Sequence, residues 1–284
     1  MSSKVVLMGI KITILSENSV LAPEKLIGEH GFSALVERGK EKVLFDTGQG
    51  FALTHNADAL GIDLADIKKV VLSHGHKDHT GGLVRFLESG GPKDVYAHPG
   101  IFVSRYRELN DSAKLQIGIP FTRSHLEDLG ARLHLEEGPQ EVAGGFYTTG
   151  VVERETPFEK GDTALFLSPE DGGGSDIHID DLSLVVEGDD GIVVLLGCAH
   201  AGMVNILRHV QKMFPEREIK SVLGGTHLGF SSEEQMAGTI EALADMGIEK
   251  VGASHCTGLV GAARLMEALG DGFFFAGVGT ILEL

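Results

Sequence analysis

Short blocks of apolar residues recur along the chain, each closed by a cluster of glycine, histidine, serine or aspartate. Residues 5–15, interrupted by Lys11, and residues 33–37 and 42–45 are β-rich runs; the third ends at Asp46-Thr47-Gly48, a turn signal. Residues 52–60 carry helical spacing. Residues 70–72 form a fully apolar run of the kind buried on both faces, and it stops abruptly at Ser73-His74-Gly75-His76. Gly81-Gly82 follow, residues 83–87 begin a helix, and residues 95–97 form a strand closed by His98-Pro99-Gly100. The stretch 101–181 is less periodic and reads as loops with short strands at 145–149 and 164–167, and with a flexible patch at Asp171-Gly172-Gly173-Gly174-Ser175.

The last hundred residues repeat this grammar. Residues 182–186 and 192–196 predict a hairpin around Gly188-Asp189-Asp190-Gly191, its second strand ending in Gly197-Cys198-Ala199-His200 before a helix over 203–214. Residues 222–223 lead into Gly224-Gly225-Thr226-His227, and a helix over 232–246 follows with Ser231 or Ser232 as N-cap. Residues 251–253 lead into Ser254-His255-Cys256-Thr257-Gly258, ahead of a helix over 259–269 and a strand region over 273–284. Two halves of strand, loop and helix predict an α/β fold: two sheets face to face with helices outside, formed by residues 1–284 as one domain.

Composition narrows the function. The 284 residues are 42% hydrophobic and 23% charged, enough for a full core without disulfides. A formal charge of −17 opposes a polynucleotide backbone, so nucleic acid is not an expected partner. No apolar run approaches a membrane span, and two cysteines far apart in sequence suit a reducing compartment, so the expected location is the cytoplasm. Thirteen histidines in so acidic a chain are the unusual count, because imidazole is the commonest metal ligand and carboxylates are its natural supports.

Their placement carries the chemistry. His74-Gly75-His76-Lys77-Asp78-His79 puts three imidazoles and a carboxylate directly after a buried strand. That is a donor set of mixed reach, able to serve two adjacent cations: His74 and His76 for one, Asp78 and His79 for the other. The plainer reading, a solvated turn, does not explain three histidines at this spacing. His200, His227 and His255 each follow a strand, so a sheet edge could gather them. His55, His98, His125, His134 and His209 lack such surroundings and read as surface or packing residues. Glu29-His30, between Gly28 and Gly31, reads as a loop near a site.

Leu44-Phe45-Asp46-Thr47-Gly48 together with Leu72-Ser73-His74-Gly75-His76-Lys77-Asp78-His79-Thr80-Gly81-Gly82 resembles the metallo-β-lactamase superfamily. The resemblance implies a four-layer αβ/βα sandwich with a dinuclear centre along one edge. Glu17-Asn18-Ser19, Gly28-Glu29-His30-Gly31, Thr149-Gly150, Gly197-Cys198-Ala199-His200-Ala201-Gly202, Gly224-Gly225-Thr226-His227-Leu228 and Ser254-His255-Cys256-Thr257-Gly258 are similar to its dihydropterin-type synthase subgroup. That implies joining a dihydropterin diphosphate to a ribofuranosylaminobenzene phosphate with loss of pyrophosphate; a metal-dependent phosphoesterase or lactonase is the alternative.

The implied cofactors are two divalent ions, zinc first and manganese or iron as alternatives, and the implied partner is a small phosphorylated molecule. His255 matches the last ligand of the superfamily, and His227, particular to the subgroup, binds metal or substrate. Asp46 is expected behind the ligands, orienting an imidazole. Where most members carry a bridging carboxylate this chain has Gly197-Cys198, so either the Cys198 thiolate substitutes or His200 supplies the ligand; the second is preferred. His178 stands near the place of the third-motif histidine but in His178-Ile179-Asp180-Asp181, and is not counted as a ligand. Glu29, His30, His227, Thr257 and Gly258 are expected to contact substrate, with Arg264 as a helper and the helix N-termini after Gly202 and Gly258 as seats for a remote phosphate. A diiron flavoprotein is disfavoured because His76 stands where that group carries a carboxylate and no flavin domain is appended. A metal-binding sensor without turnover is the non-enzymatic alternative.

Overall fold

The computed structural model describes residues 9–21, 25–110, 113–162 and 164–284. One seven-stranded sheet runs in the order Ile281–Glu283 (β17), Ile10–Ser16 (β1), Ser33–Arg38 (β2), Glu41–Phe45 (β3), Lys69–Val71 (β4), Lys93–Ala97 (β5) and Ala131–Leu135 (β8). The other runs Phe273–Phe275 (β16), Lys250–Ser254 (β15), Ile219–Gly225 (β14), Ile192–Leu196 (β13), Ser183–Glu187 (β12), Phe146–Thr148 (β10) and Glu141–Ala143 (β9). A small sheet of Leu165–Leu167 (β11), Arg105–Asn110 (β6) and Ala113–Gln116 (β7) stands apart from both. The helices are Ala52–Ala59 (α1), Lys77–Thr80 (α2), Leu83–Glu88 (α3), Arg123–Asp128 (α4), Met203–Met213 (α5), Glu233–Asp245 (α6) and Gly258–Leu269 (α7).

Side-chain alternation along the strands builds the layers. In β13, Val193 and Leu195 face the other sheet while Ile192, Val194 and Leu196 face α5, α6 and α7. In β3, Val43 and Phe45 point between the sheets and Leu44 points toward α1 and α3. The central core joins Ile12, Ile14, Val36 and Phe45 to Phe146, Leu184, Val186 and Leu195, and each outer face is closed by helices. The result is the αβ/βα sandwich. No helix among the described residues is long and apolar enough to cross a membrane.

The strand pattern matters for the site. β3, β4 and β5 are mutually parallel, and so are β13, β14, β15 and β16, so the loops after β3, β4, β13, β14 and β15 leave from carboxyl ends. The expected hairpin at 182–196 is β12–β13, and Ser232 rather than Ser231 caps α6 by accepting the Gln235 N–H. The part of the expected 5–15 strand before Gly9 lies outside the described residues. The glycine run expected to be a flexible patch is tied down: Ser168 Oγ donates to Asp171, and Ser175 bridges to Phe166 of β11.

Lys93, fully buried on β5, donates from Nζ to the carbonyls of Leu64 and Ile67 and lies 4.6 Å from the Phe86 ring centroid. Burial, with help from Lys68, pulls its ammonium down to about 8. Between that value and its unfolded value near 10.5 the unfolded chain binds the extra proton, so stability rises with pH across this window. The unfolding free energy of wild type relative to Lys93→Met should therefore increase by on the order of 2 kcal/mol between pH 7.5 and 10. Urea denaturation at both pH values measures it, and an unchanged difference would contradict the burial argument.

Candidate metal centre

Asp46 leaves β3 with a positive φ of 58° and turns its fully buried carboxylate toward the end of β4. There Oδ1 accepts the Ser73 N–H at 2.7 Å, and Oδ2 accepts both the Ser73 hydroxyl and His79 Nδ1 at 2.7 Å. With its proton on Asp46, Ser73 Oγ is left to accept His74 Nδ1–H at 2.8 Å. One carboxylate thus fixes the tautomers of two imidazoles and leaves both Nε2 lone pairs for a cation. Gly197, at the end of β13, packs against the same group; a Cβ there would strike Ser73.

The nitrogens converge in two overlapping groups. His74 Nε2 lies 2.9 Å from His76 Nδ1, and these two with His200 hold their donor atoms within 4.8 Å of one another. On the other side His79 Nε2 lies 3.2 Å from His255 Nε2 and 3.2 Å from Cys198 Sγ, while Asp78 Oδ2 is 3.4 Å from His255 and 3.9 Å from His79. Cys198 shares one tight group with His74 and His79 and another with His255 and Cys256, so its sulfur occupies the junction. His255 is aimed by Asn18, whose Oδ1 accepts Nδ1–H at 2.9 Å, and its backbone N–H is held by Glu17 at 2.6 Å.

A divalent cation fits this set. Ring nitrogens face one another at hydrogen-bond distance, and the buried Nε2 atoms of His76, His178 and His200 make no hydrogen bond among the described residues, His178 Nε2 standing 3.5 Å from the Asp176 carboxylate. Orphaned buried acceptors are costly, and a cation satisfies several at once. Burial holds His74, His76, His178 and His200 well below the usual imidazole range, which is the neutral, ligating form. Burial also lowers His255, to about 4. At His79 burial is outweighed by Asp46 and Asp78, which hold it at about 9: these carboxylates call for positive charge there, from a proton or from a cation. Burial would lift Asp78, but His79 and the bonds to His255 and His30 hold it well below the carboxylate range.

A second buried network fixes the loop itself. Arg105, 2% exposed, pairs through Nε with Asp176 and through Nη2 with Asp180, both at 2.7 Å, and Asp180 in turn accepts the Gly75 N–H at 2.8 Å. Gly75 is required by this approach, since a Cβ would collide with the Arg105 guanidinium and the Ile101 carbonyl. Asp181 accepts the Ala201 N–H beside His200.

His74, His76, Asp78, His79, Cys198, His200 and His255 come together, and His30 and His227 join most of them around a cavity of about 330 Å³. Four expectations are corrected. Glu29 does not line the cavity: its carboxylate accepts Ser16 Oγ and the N–H groups of Gln49, Gly50, Phe51 and Ala52, and so anchors the loop after β3. Thr257 is buried and bonded to Thr226, and neither it nor Gly258 lines the cavity. Arg264 pairs with Glu233 on the surface. The N-terminus of α5 after Gly202 is already filled by Glu159, which accepts the Val204 and Asn205 N–H groups.

His178, set aside on sequence, belongs with the centre. Its ring stacks on His200 at 3.9 Å and lies 5.2 Å from His76. Cys256 and Asn18 were also missed, although the ends of β1 and β15 show the same strand-to-polar switch that marked the other loops. His55, His98, His134 and His209 bond elsewhere, to Lys25 O, the Gly100 N–H, Asp94 and Thr149 O.

The comparisons with known proteins agree with this architecture. Residues 26–255 match the family model described as Metallo-beta-lactamase superfamily. The 7,8-dihydropterin-6-methyl-4-(beta-D-ribofuranosyl)-aminobenzene-5'-phosphate synthase of Methanocaldococcus jannaschii is 29% identical over 283 residues, covering 96% of each chain. The crystal structure of Tm1679, described as a metal-dependent hydrolase of the beta-lactamase superfamily, superposes with a TM-score of 0.83 at 28% identity, covering 97% of this chain and 99% of that one. Zn(2+)-bound PqqB from Methylobacterium extorquens shares the fold, with a TM-score of 0.59 at 16% identity over 96% of this chain and 100% of that one. The carboxylate-supported histidine cluster, the sandwich that presents it and the family match over residues 26–255 place this chain in the metallo-β-lactamase superfamily, as a metal-binding member.

Proposed function

We propose that the protein is a metal-dependent enzyme acting on a small phosphorylated, pterin-like substrate, by a synthase-type transfer with loss of pyrophosphate. The observation that carries this reading is the end-to-end likeness to the Methanocaldococcus jannaschii synthase, which covers 96% of both chains. A metal-dependent hydrolase is the second reading, favoured by the description of Tm1679. No polynucleotide or membrane partner enters either reading.

Two divalent ions, zinc first, with manganese or iron as alternatives, would be held by His74, His76 and His200 on one side and by Asp78, His79 and His255 on the other, with Cys198 between. When bound, they supply Lewis acidity at phosphoryl oxygens. The chain's own groups do the rest. Asp46 and Ser73 keep the imidazoles in ligating form, and the Arg105–Asp180–Gly75 latch fixes the loop that carries them. His30 stands exposed at the mouth with Nε2 3.2 Å from Asp78, and His227 lines the cavity, so both are placed to orient substrate.

Zinc-, manganese- or iron(II)-loaded protein, incubated with a dihydropterin methyl diphosphate and 4-(β-D-ribofuranosyl)aminobenzene 5'-phosphate, should release pyrophosphate and give the coupled product by mass spectrometry. Hydrolysis of phosphoesters or lactones without coupling would favour the second reading, and no turnover with any metal would overturn both. Asp46→Asn should weaken zinc binding about 10- to 100-fold in chelator competition with the circular dichroism spectrum unchanged; wild-type affinity would remove Asp46 from its supporting role. Cys198→Ser should lower the bound metal stoichiometry measured by atomic emission, and an unaltered stoichiometry would show that the thiol does not ligate.

A further inference from the structure

The small sheet of β11, β6 and β7 has a defined inner face. In its antiparallel register Arg107 of β6 stands directly between Leu165 of β11 and Leu115 of β7, and directly opposed residues share a face. All three line the cavity above the metal centre. The sheet is also locked to the ligand loop: Lys77 N–H donates to the Ile117 carbonyl at 2.7 Å, and His76 bridges to Gly118. Lys77 and Ile117 line the same cavity, with Phe230 as a further apolar wall.

Two cations therefore face one cavity of a chain with a formal charge of −17, and neither Lys77 nor Arg107 has an ion-pair partner among the described residues. Asp162 is the carboxylate that lines the cavity away from the metal centre, and its Oδ1 accepts the Ala164 N–H. Arg107 is exposed to the cavity's solvent between the buried Leu165 and the exposed Leu115, and its guanidinium fork matches a phosphate or carboxylate. The helix N-terminus of α5 cannot play this part, being filled by Glu159.

We propose that the inner face of this three-stranded sheet is a substrate subsite for a ring bearing an anionic group: Arg107, assisted by Lys77, binds the anion, and Leu115, Leu165 and Phe230 hold the ring. This rests on the reading that the reacting end of the substrate lies at the metal centre, and it makes Arg107 a specificity-determining residue for the remote end. The cavity volume suits a ligand of one or two rings.

Phenyl phosphate and inorganic phosphate serve as probes in isothermal titration of zinc-loaded and chelator-treated protein. Phenyl phosphate should bind wild type with or without zinc, and Arg107→Gln should weaken it at least tenfold while zinc affinity stays within twofold; Arg107→Lys should restore part of the loss. Leu165→Asn should weaken phenyl phosphate but not inorganic phosphate. If phenyl phosphate binds only when zinc is present and Arg107→Gln leaves its affinity unchanged, the anion sits on the metals and the proposal is overturned. Arg107-dependent binding without turnover of pterin substrates would keep the subsite and reject the synthase reading, so the two failures are separable.

Discussion

The buried carboxylate of Asp46 is the constraint on which the metal centre depends. A carboxylate without solvent is tolerable only if its oxygens are fully engaged, and here the partners that satisfy it are a backbone N–H, a hydroxyl and an imidazole from the ligand loop. Satisfying Asp46 and orienting His74 and His79 are therefore one event. Ser73 can reach Asp46 only because Gly197 of the facing sheet leaves room, so the two halves of the sandwich meet at this group.

Backbone strain gathers at the same place. The non-glycine residues with left-handed φ among those described are Asp46, His178, Ala199, His227 and His255. Each costs on the order of 1–3 kcal/mol unless its surroundings hold it. Four carry side chains that hold or border the metal centre and the fifth adjoins His200, so the packing of two sheets is opposed by the geometry that aims the donors.

Most of the fold was legible because its strands are short, apolar and sharply ended. The β4 and β13 runs announced buried strands, and their polar endings announced the site. The His74–His79 cluster was legible for the same reason, being local in sequence. His178 was not, because nothing in His178-Ile179-Asp180-Asp181 encodes the Arg105 pairing that buries the segment beside His76. Glu29 misled because a carboxylate between glycines looks the same whether it faces substrate or collects backbone N–H groups from a loop twenty residues away. The helix N-terminus after Gly202 looked free because Glu159, which serves it, lies more than forty residues earlier in the chain.

The hydrogen bond from the Lys77 amide to the Ile117 carbonyl, described above as a lock, also makes two elements of different origin mechanically continuous. The three-stranded sheet belongs to neither half of the sandwich, yet it cannot tilt without pulling on the residue between His76 and Asp78. Any free energy of coupling carried by that bond is reciprocal, since linkage requires that each site influence the other by the same factor.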